Sequence, residues 1–242
     1  MTADGIEISE YLCGYLGQDK IILFATSWGS ALGASMAIRR PDLYYAYVGH
    51  SQLVTPSEDI IQVFHTTSQL AYQQNDSTAV QLLESIGEPP YHSAKNLGHL
   101  LRIVKKYEHQ NATPAPESWW TIALGYDNKA AEMDRYNGDD YSFVYYAGHQ
   151  PLGINGMINT INIPKEGTKF DIPVYLIQGE EDILTPLNIA STYFDRIESP
   201  EKMLVVIPDA AHGLNSSVVD AAYQLMREKI LPRVHNGKDE RK

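Results

Sequence analysis

The stretch that decides the fold is Ile21-Ile22-Leu23-Phe24-Ala25-Thr26-Ser27-Trp28-Gly29-Ser30. Its first six residues form a short apolar run rich in β-branched side chains, which is typical of a strand buried on both faces of a parallel sheet. A helical pattern follows from Ser30 to Arg40 and stops before Pro41, because proline disfavours helical geometry in the residue before it. Ser27 therefore lies where a predicted strand passes into a predicted helix.

This turn suits a serine nucleophile. A strained turn between strand and helix lifts the hydroxyl above the carboxyl edge of a sheet, and small residues two positions to either side let the helix pass close to the strand. Here the small residues are Ala25 and Gly29, so one glycine of the Gly-x-Ser-x-Gly pattern is replaced by alanine. Alternatively, Ser27 only caps the N-terminus of the next helix. The hexapeptide alone fits both interpretations.

Strand and helix patterns alternate on both sides of a long middle segment, which predicts a parallel sheet covered by helices. Apolar residues recur at three- and four-residue spacing in an amphipathic helix that ends at Gly17, namely Ile8, Tyr11, Leu12, Tyr15 and Leu16. Further strands are predicted at Tyr44–Val54, Ile172–Gly179 and Met203–Pro208, and further helices at Leu187–Ile197 and Ser216–Leu231.

The middle segment has helical periodicity broken by prolines and turn signals. It predicts a helical insertion over residues 57–170 between two parts of an α/β core, residues 1–56 and 171–242. Asn137-Gly138-Asp139-Asp140 predicts a turn and lacks the spacing of a calcium loop. Trp119-Trp120 either lines an aromatic substrate pocket or packs in the interior of the insertion.

The composition excludes several classes of protein. The 242 residues contain 19 Lys and Arg against 30 Asp and Glu, a net charge of −11, which argues against nucleic-acid binding. A single cysteine, Cys13, excludes a disulfide scaffold. The sequence has no nucleotide-binding motif and no metal-ligand spacing, so we expect no cofactor and no metal. Short apolar runs and the lack of a signal peptide predict a cytoplasmic protein without a membrane segment.

Two further residues complete a candidate acid–base set. A serine hydroxyl is a weak nucleophile until a histidine takes its proton, and a carboxylate must hold the tautomer and orientation of that histidine. Asp182 follows the predicted strand that ends at Gly179, and His212 follows the next predicted strand. We expect Ser27, Asp182 and His212 on one rim, because the carboxyl ends of parallel strands share one edge of a sheet. Taken alone, Asp182 also suits a helix N-cap and His212 an ordinary loop.

With this chain order and these motifs, the whole chain resembles the α/β-hydrolase superfamily, and its proline iminopeptidase-like branch most closely. The motifs that carry the resemblance are Ser27-Trp28-Gly29-Ser30, Phe170-Asp171-Ile172-Pro173-Val174, Gly179-Glu180-Glu181-Asp182, Thr185-Pro186 and Ala211-His212. The resemblance implies an α/β-hydrolase fold, a parallel sheet flanked by helices, with residues 57–170 as a helical cap. It implies Ser27 as nucleophile, Asp182 as orienting acid and His212 as general base. The backbone N–H of Trp28 is then one oxyanion donor.

The N-terminus departs from the family pattern. Family members place four strands and a helix, roughly 80 to 100 residues, before the serine turn. Here the serine is residue 27, and the His-Gly-Gly motif that supplies a second oxyanion donor in the family is absent from the sequence. We therefore expect a truncated sheet with the Ile21–Thr26 strand as an exposed hydrophobic edge. The chain is then a fragment or truncated form, or something else, such as a homo-oligomer, covers that edge.

These observations favour a serine hydrolase that works through an acyl-enzyme, most closely a proline iminopeptidase-like aminopeptidase acting on a short peptide or other small molecule. The alternatives are a carboxylesterase acting on small acyl esters and a catalytically silent truncated hydrolase that works through oligomer or partner contacts. The resemblance also implies acidic cap residues that pair with the amino terminus of the substrate. The candidates by charge, each of which also suits a solvated helix face, are Glu84, Glu88, Glu108, Glu117 and Glu132.

Overall fold

Four parallel strands form one sheet in the order β1-β2-β3-β4 in a computed structural model that describes residues 1–234. The strands are β1 (Ile21–Thr26), β2 (Tyr44–His50), β3 (Val174–Gly179) and β4 (Lys202–Ile207). Each strand is parallel to its neighbour, so all four carboxyl ends lie at one edge of the sheet. The predicted parallel α/β sheet is confirmed, and β1 and β4 are its edge strands among the described residues.

Nine α-helices accompany the sheet within residues 1–234. They are α1 (Thr2–Leu16), α2 (Trp28–Arg39), α3 (Pro56–Gln73), α4 (Ser77–Ile86), α5 (Ala94–Asn111), α6 (Lys129–Ala147), α7 (Ile163–Glu166), α8 (Leu187–Arg196) and α9 (Ser216–Leu225). A π-helical turn, Met226–Ile230, extends α9. None of the helices in this part of the chain combines the length and the apolar character needed to span a bilayer.

The chain forms two compact units. The sheet unit comprises Met1–Thr55, Asn111–Thr113 and the chain from Asn162 onward, and the helical unit comprises Pro56–Gln110 and Pro114–Ile161. Within the sheet unit, the N–H of Ile163 donates a hydrogen bond of 3.1 Å to the carbonyl oxygen of Val54. The two ends of the long excursion therefore meet. The assignment of residues 57–170 as a cap is not decided by these limits and stays a prediction.

Helices cover both faces of the sheet because side chains alternate along each strand. On one face, α9 packs against β3 and β4 over a cluster of buried residues. The cluster includes Ala46, Val48, Tyr175, Ile177, Ile207, Val218, Ala222 and Leu225. On the opposite face, α2 packs against β1 and β2, and α8 packs against β3. Layers of this kind are typical of α/β proteins.

β1 is less buried than its sequence predicts. Its residues are intermediate or exposed, and the side chain of Phe24 is 37% exposed. Ile22, two residues earlier on the same face, still packs at the margin of the cluster under α9. The prediction of burial on both faces is wrong, because β1 has a neighbouring strand on one side only and α9 lies over the other end of the sheet. The expectation that this strand forms an exposed edge of the sheet agrees with the described residues.

α1 follows the predicted helical spacing but turns most of its apolar residues outward. The residues of the predicted pattern are exposed, and Tyr15 is 74% exposed. The buried residues are Ser9 and Cys13, and the hydroxyl of Tyr44 donates to the Ser9 hydroxyl over 2.9 Å. The helix ends where Gly17 adopts the left-handed conformation. The spacing therefore predicted this helix correctly, but the side chains that α1 buries are those of Ser9 and Cys13 and not its large apolar ones.

Two predictions about the helical unit are wrong. Asn137-Gly138 lies inside α6, where Arg135 pairs with Asp139 one turn along the helix and the side chain of Asn128 caps the first turn. These helix-stabilising contacts outweigh a glycine penalty of about 1 kcal/mol. Trp120 is 73% exposed, so the Trp119-Trp120 pair is not part of a packed interior.

Candidate active site

Ser27 occupies a strained turn between β1 and α2. Its φ of 53° and ψ of −127° are unusual for a residue with a side chain, and such conformations cost of order 1–3 kcal/mol. Hydrogen bonds hold the turn on both sides. The N–H of Ser27 donates to the carbonyl oxygen of His50 over 3.0 Å, and the N–H and hydroxyl of Ser30 donate to the carbonyl oxygen of Ser27 over 2.8 and 2.5 Å. The strain is thus offset by contacts that also fix the direction of the serine side chain.

The close approach of α2 to the sheet occurs one turn after the residue that was predicted. A Cβ built on Gly29 would meet no atom within 4 Å. A Cβ on Gly33 would lie 2.8 Å from the Cβ of Ala25 and 2.9 Å from the ring of Tyr47. Ala25 does face the helix, but Gly33 is the residue that lets the helix pass close to the strands. The pattern around Ser27 gave no signal for it.

The loops after β3 and β4 are bonded to each other. The N–H of Glu180 donates to the carbonyl oxygen of Ile207, and the N–H of Glu181 donates to that of Ala210, both over 3.0 Å. A Cβ on Gly179 would lie 2.4 Å from the carbonyl oxygen of Ala210, so only glycine fits at this crossing. This contact brings the loop that carries Asp182 against the loop that carries the histidine.

The structure brings Ser27, His212 and Asp182 together at the carboxyl edge of the sheet. The Oγ of Ser27 lies 2.7 Å from Nε2 of His212. The other ring nitrogen, Nδ1, lies 3.2 Å from Oδ2 and 3.3 Å from Oδ1 of Asp182. The carboxylate is buried, whereas the imidazole is partly exposed. Trp28 is the first residue of α2, and the oxyanion role of its N–H stays a prediction.

Asp182 is surrounded by hydrogen-bond donors. The N–H of Thr185 donates to Oδ1 over 2.7 Å, the hydroxyl of Thr185 donates to Oδ2 over 2.6 Å, and Nε2 of Gln178 donates to Oδ2 over 2.9 Å. Burial by itself raises the pKa of Asp182, but the charge of His212 and the hydrogen bonds from His212 and Thr185 together lower it below its ordinary value. The carboxylate is therefore ionised at neutral pH.

Behind the carboxylate, a chain of buried polar side chains runs across the sheet. The carboxamide oxygen of Gln178 accepts from the N–H of Gln52 over 3.3 Å. The carboxamide oxygen of Gln52 in turn accepts from the hydroxyl of Tyr47, which is also 2.8 Å from the carbonyl oxygen of Ser30. Sequence reasoning missed these residues. The available signal was a polar residue, Gln178, inside an otherwise apolar strand.

His50, at the end of β2, is a second buried histidine near the site. Its Nδ1 lies 2.8 Å from the hydroxyl of Thr26, and its Nε2 lies 3.3 Å from that of Ser51. Ser51, with a φ of 48°, ends the predicted strand early and donates to the carbonyl oxygen of His212 over 3.0 Å. Burial, followed by the charge of His212, lowers the pKa of His50 to about 4. His50 is therefore neutral at physiological pH.

The acidic candidates lie in the helical unit. Glu84 accepts from the hydroxyl of Tyr72, and Glu88 lies 3.1 Å from Nε2 of His65. Glu108 is buried, so the alternative of a solvated helix face is wrong for it. Glu117 and Glu132 are exposed. A role for any of these residues in binding an ammonium group stays a prediction.

The arrangement at the sheet edge can activate a hydroxyl. A ring nitrogen within hydrogen-bond distance of Ser27 can accept its proton, and a buried carboxylate on the opposite nitrogen stabilises the imidazolium that forms. A parallel sheet of this topology with such residues at its carboxyl edge defines an α/β-hydrolase. The model of the alpha/beta hydrolase fold family matches residues 2–216, and the chain belongs to this family.

Known relatives agree with this assignment. The chain is 23% identical over 216 residues to a protein of Bacillus subtilis (strain 168) named probable aminopeptidase YbaC, covering 86% of this chain and 64% of that protein. The chain thus spans less than two thirds of the length of this relative. The fold is similar to that of VinJ, with a TM-score of 0.61, 15% identity, and coverage of 95% of this chain and 72% of VinJ. It is also similar to the proline iminopeptidase of Mycobacterium smegmatis, with a TM-score of 0.57, 14% identity, and coverage of 98% and 72%.

Proposed function

We propose that the protein is a serine hydrolase in which Ser27 is the nucleophile, His212 the general base and Asp182 the residue that orients His212. The observation that carries this proposal is the pair of contacts on one imidazole, 2.7 Å from Nε2 to Ser27 Oγ and 3.2 Å from Nδ1 to Asp182 Oδ2. A neutral histidine held in this way has its free lone pair on Nε2, directed at the hydroxyl. Membership of the α/β-hydrolase family supports the same chemistry.

The reaction is acyl transfer in two halves. Ser27 Oγ attacks a carbonyl carbon while its proton moves to Nε2 of His212, and the oxygen of the tetrahedral intermediate takes up the negative charge. His212 then gives the proton to the leaving amine or alcohol, and an ester to Ser27 remains. Water repeats the sequence, which releases the acid and restores the serine. The backbone N–H of Trp28 is proposed to donate to the oxyanion, because it opens α2 directly after the nucleophile.

The substrate class we favour is a peptide or aminoacyl amide with a free amino terminus. Support comes from the relatives named as a probable aminopeptidase and a proline iminopeptidase. The second candidate is a small acyl ester or lactone, because the same cycle hydrolyses esters. A structural neighbour at a TM-score of 0.52 and 14% identity is described as an N-acyl homoserine lactone degrading enzyme, which favours this candidate. A prolyl amide and a short acyl ester, compared by kcat/KM on one preparation, separate the two.

The nucleophile is tested by intact-mass analysis after exposure to a fluorophosphonate, which phosphonylates activated serines. We expect one adduct on the folded wild type and none on Ser27→Ala. Ser85→Ala is the matched control, because Ser85 is an exposed helix residue whose hydroxyl donates to the carbonyl oxygen of Leu82. It should be labelled like the wild type. An adduct that persists in Ser27→Ala, or a folded wild type that is never labelled, would falsify the mechanism.

We also propose that a second copy of the chain pairs with the β1 edge and so forms a homo-oligomer. The N–H of Ser27 points to β2, and because successive residues of a strand point to opposite sides, the N–H groups of Ile22, Phe24 and Thr26 point away from β2. The β1 edges of two copies of the chain, related by a twofold axis, can therefore donate to and accept from each other. The exposed apolar residues of α1 add contact area near this edge, since α1 also packs against β1.

Light scattering tests this pairing. We expect a dimer for the wild type and a monomer for Phe24→Pro, because proline removes one outward N–H and is tolerated on an edge strand. Phe24→Ala removes the side chain, keeps the N–H and should stay dimeric. A monomeric wild type contradicts the proposal, as does a dimer that Phe24→Pro leaves intact. A dimer without fluorophosphonate labelling supports instead the alternative of a silent hydrolase that acts through its contacts.

A further inference from the structure

The acyl-transfer scheme uses Asp182 but not the two side chains that hold it. Gln178 lies in the strand before Asp182 and Thr185 lies in the turn after it, and both bond to the Asp182 carboxylate. Both are buried. Three hydrogen-bond donors of these two residues go to the two oxygens of one carboxylate. These contacts fix the orientation of the carboxylate in addition to pairing buried polar groups.

Gln178 has one orientation only. One hydrogen of its Nε2 reaches Asp182 Oδ2 over 2.9 Å and the other reaches the carbonyl oxygen of Thr185 over 2.7 Å, while its oxygen accepts from the N–H of Gln52. A carboxamide turned by 180° would place its oxygen against a carboxylate and a carbonyl, and its NH₂ group against an N–H. All polar neighbours of the carboxamide therefore require that its NH₂ group, and not its oxygen, faces Asp182.

Thr185 closes the other side of the carboxylate. Its N–H donates to Oδ1 over 2.7 Å and its hydroxyl donates to Oδ2 over 2.6 Å. The same hydroxyl oxygen lies 3.3 Å from Nδ1 of His212. Because the single hydroxyl proton is used toward Asp182, a lone pair of this oxygen faces the N–H of His212. The imidazole thus has a second acceptor beside the carboxylate.

We infer that Gln178 and Thr185 are positioning residues, which fix the rotation of the Asp182 carboxylate and set how strongly it attracts the proton on His212. The inference rests on the proposed function of the site. Donors to a carboxylate spread its negative charge, so each one weakens its attraction for an imidazolium and leaves the ring more often neutral and able to accept a proton. A purely structural role, in which buried polar groups merely need partners, does not predict any change in the titration of His212.

The other titratable groups that face His212 enter this argument as well. Two titratable groups that interact with His212 are Asp182, from the loop after β3, and His50, from the end of β2. Burial keeps His50 neutral in the range where a histidine base titrates. Because Thr185 and Gln178 both bond to the Asp182 carboxylate, the change in the pH profile between each variant and the wild type reports on the interaction of Asp182 with His212.

The first test compares Thr185→Val with Thr185→Ser. Valine keeps the shape and the N–H but lacks the hydroxyl, whereas serine keeps the hydroxyl. We expect Thr185→Val to label with a fluorophosphonate on the order of tenfold more slowly, as for loss of a hydrogen bond to a charged group. The acidic limb of its pH profile should move up by roughly half a unit to one unit, because the freed Asp182 carboxylate attracts the His212 proton more strongly. The lost acceptor at 3.3 Å from Nδ1 acts in the opposite direction, but this contact has an uncharged acceptor and is longer than the 2.6 Å bond to the carboxylate. Thr185→Ser should return both values toward those of the wild type.

The second test reads His212 directly and needs no activity. NMR follows the ring signals of the histidines against pH, and the signal missing from His212→Gln assigns the base. The midpoint for His212 should rise in Thr185→Val and in Gln178→Met, which replaces the carboxamide by an apolar side chain of similar length. Leu176→Met is the control, because Leu176 is a buried residue on the same face of β3 without a polar contact to Asp182.

The outcomes separate the inference from the proposed function. If the wild type is not labelled but the His212 midpoint still rises in Thr185→Val, the serine hydrolase mechanism fails and the positioning role stands. If labelling is normal but Thr185→Val, Thr185→Ser and the wild type share one midpoint and one pH profile, the inference is wrong. Should Gln178→Met fail to fold, the threonine pair decides alone, because valine and threonine have nearly the same shape.

Discussion

β1 and β3 have similar lengths and apolar compositions but very different surroundings. Both are six-residue parallel strands with mainly apolar side chains, and each leads into a residue of the candidate site. Every residue of β3 is buried, whereas no residue of β1 is. β3 has a strand on each side and a helix on each face, while β1 pairs with β2 alone. Composition thus sets how much apolar surface a strand can bury, and the number of neighbours sets how much it does bury.

The two strands hold different residues of the candidate site, and they hold them in different ways. Ser27 extends from the exposed strand, and hydrogen bonds to the end of β2 and to the start of α2 hold it in place. Asp182 extends from the buried strand and is held by side chains within that strand and its own loop. Asp182 is therefore anchored in the core of the sheet, and Ser27 is anchored by contacts at its margin. The predictions below test that contrast by stability and by pH.

The largest expected effect comes from truncating matched apolar residues of the two strands. Ile177→Ala should lower the free energy of unfolding by about 3 to 4 kcal/mol, because a fully buried side chain leaves a cavity. Phe24→Ala should cost only about 1 kcal/mol, because Phe24 already faces solvent in part. Urea unfolding at one protein concentration measures both values. Equal losses would mean that the proposed dimer covers the face of β1 that carries Phe24 as well as its backbone edge, and the contrast would then hold for the isolated chain alone.

The second effect is a loss of stability in acid at the contact between β1 and β2. His50 has an ordinary pKa of 6.5, lowered to about 4 in the folded protein, so the unfolded chain binds the proton more readily. The stabilisation is fully present above pH 6.5 and is lost as the pH falls toward 4, by about 3 kcal/mol. Urea unfolding at pH 7 and pH 4 should show this loss in the wild type. His50→Gln, which cannot take up a proton, should lose about 3 kcal/mol less over the same range, and an unchanged difference would contradict the prediction.

The smallest effect distinguishes two glycines of α2. Gly33→Ala should destabilise the protein by about 1 to 2 kcal/mol, because the new methyl group would press against Ala25 and Tyr47 where α2 crosses β1 and β2. Gly29→Ala is the matched control, with open space around its Cβ and a gain in helix propensity of up to about 1 kcal/mol. Thermal unfolding of the two variants should move in opposite directions. If Gly33→Ala leaves the thermal stability unchanged, α2 can shift away from the edge strand at little cost in free energy.

The sequence predicted best those features that depend on neighbours along the chain. The strand-to-helix turn at Ser27, the alternation of strands and helices and the loop positions of Asp182 and His212 all follow from local pattern. Features set by distant neighbours were predicted less well. The exposed edge of β1 follows from the family resemblance and not from its own apolar sequence, and the outward side of α1 depends on Ser9 meeting Tyr44. Gly33 and Gln178 escaped notice because their importance lies in contacts across the sheet unit.

The hydrogen bond from Ile163 to Val54 has a consequence for the rate of folding. It joins residues about 100 positions apart, and β2 cannot pair with β3 until the chain has closed a loop of that length, at an entropic cost of about 4 kcal/mol. Pairing of β1 with β2 needs a far shorter crossover through α2, so it can form early. β3 and β4 are likewise joined by a short crossover through α8, so both halves of the sheet can form early and the pairing of β2 with β3 is expected to come last. A chain with a short turn in place of the excursion should therefore close the sheet sooner.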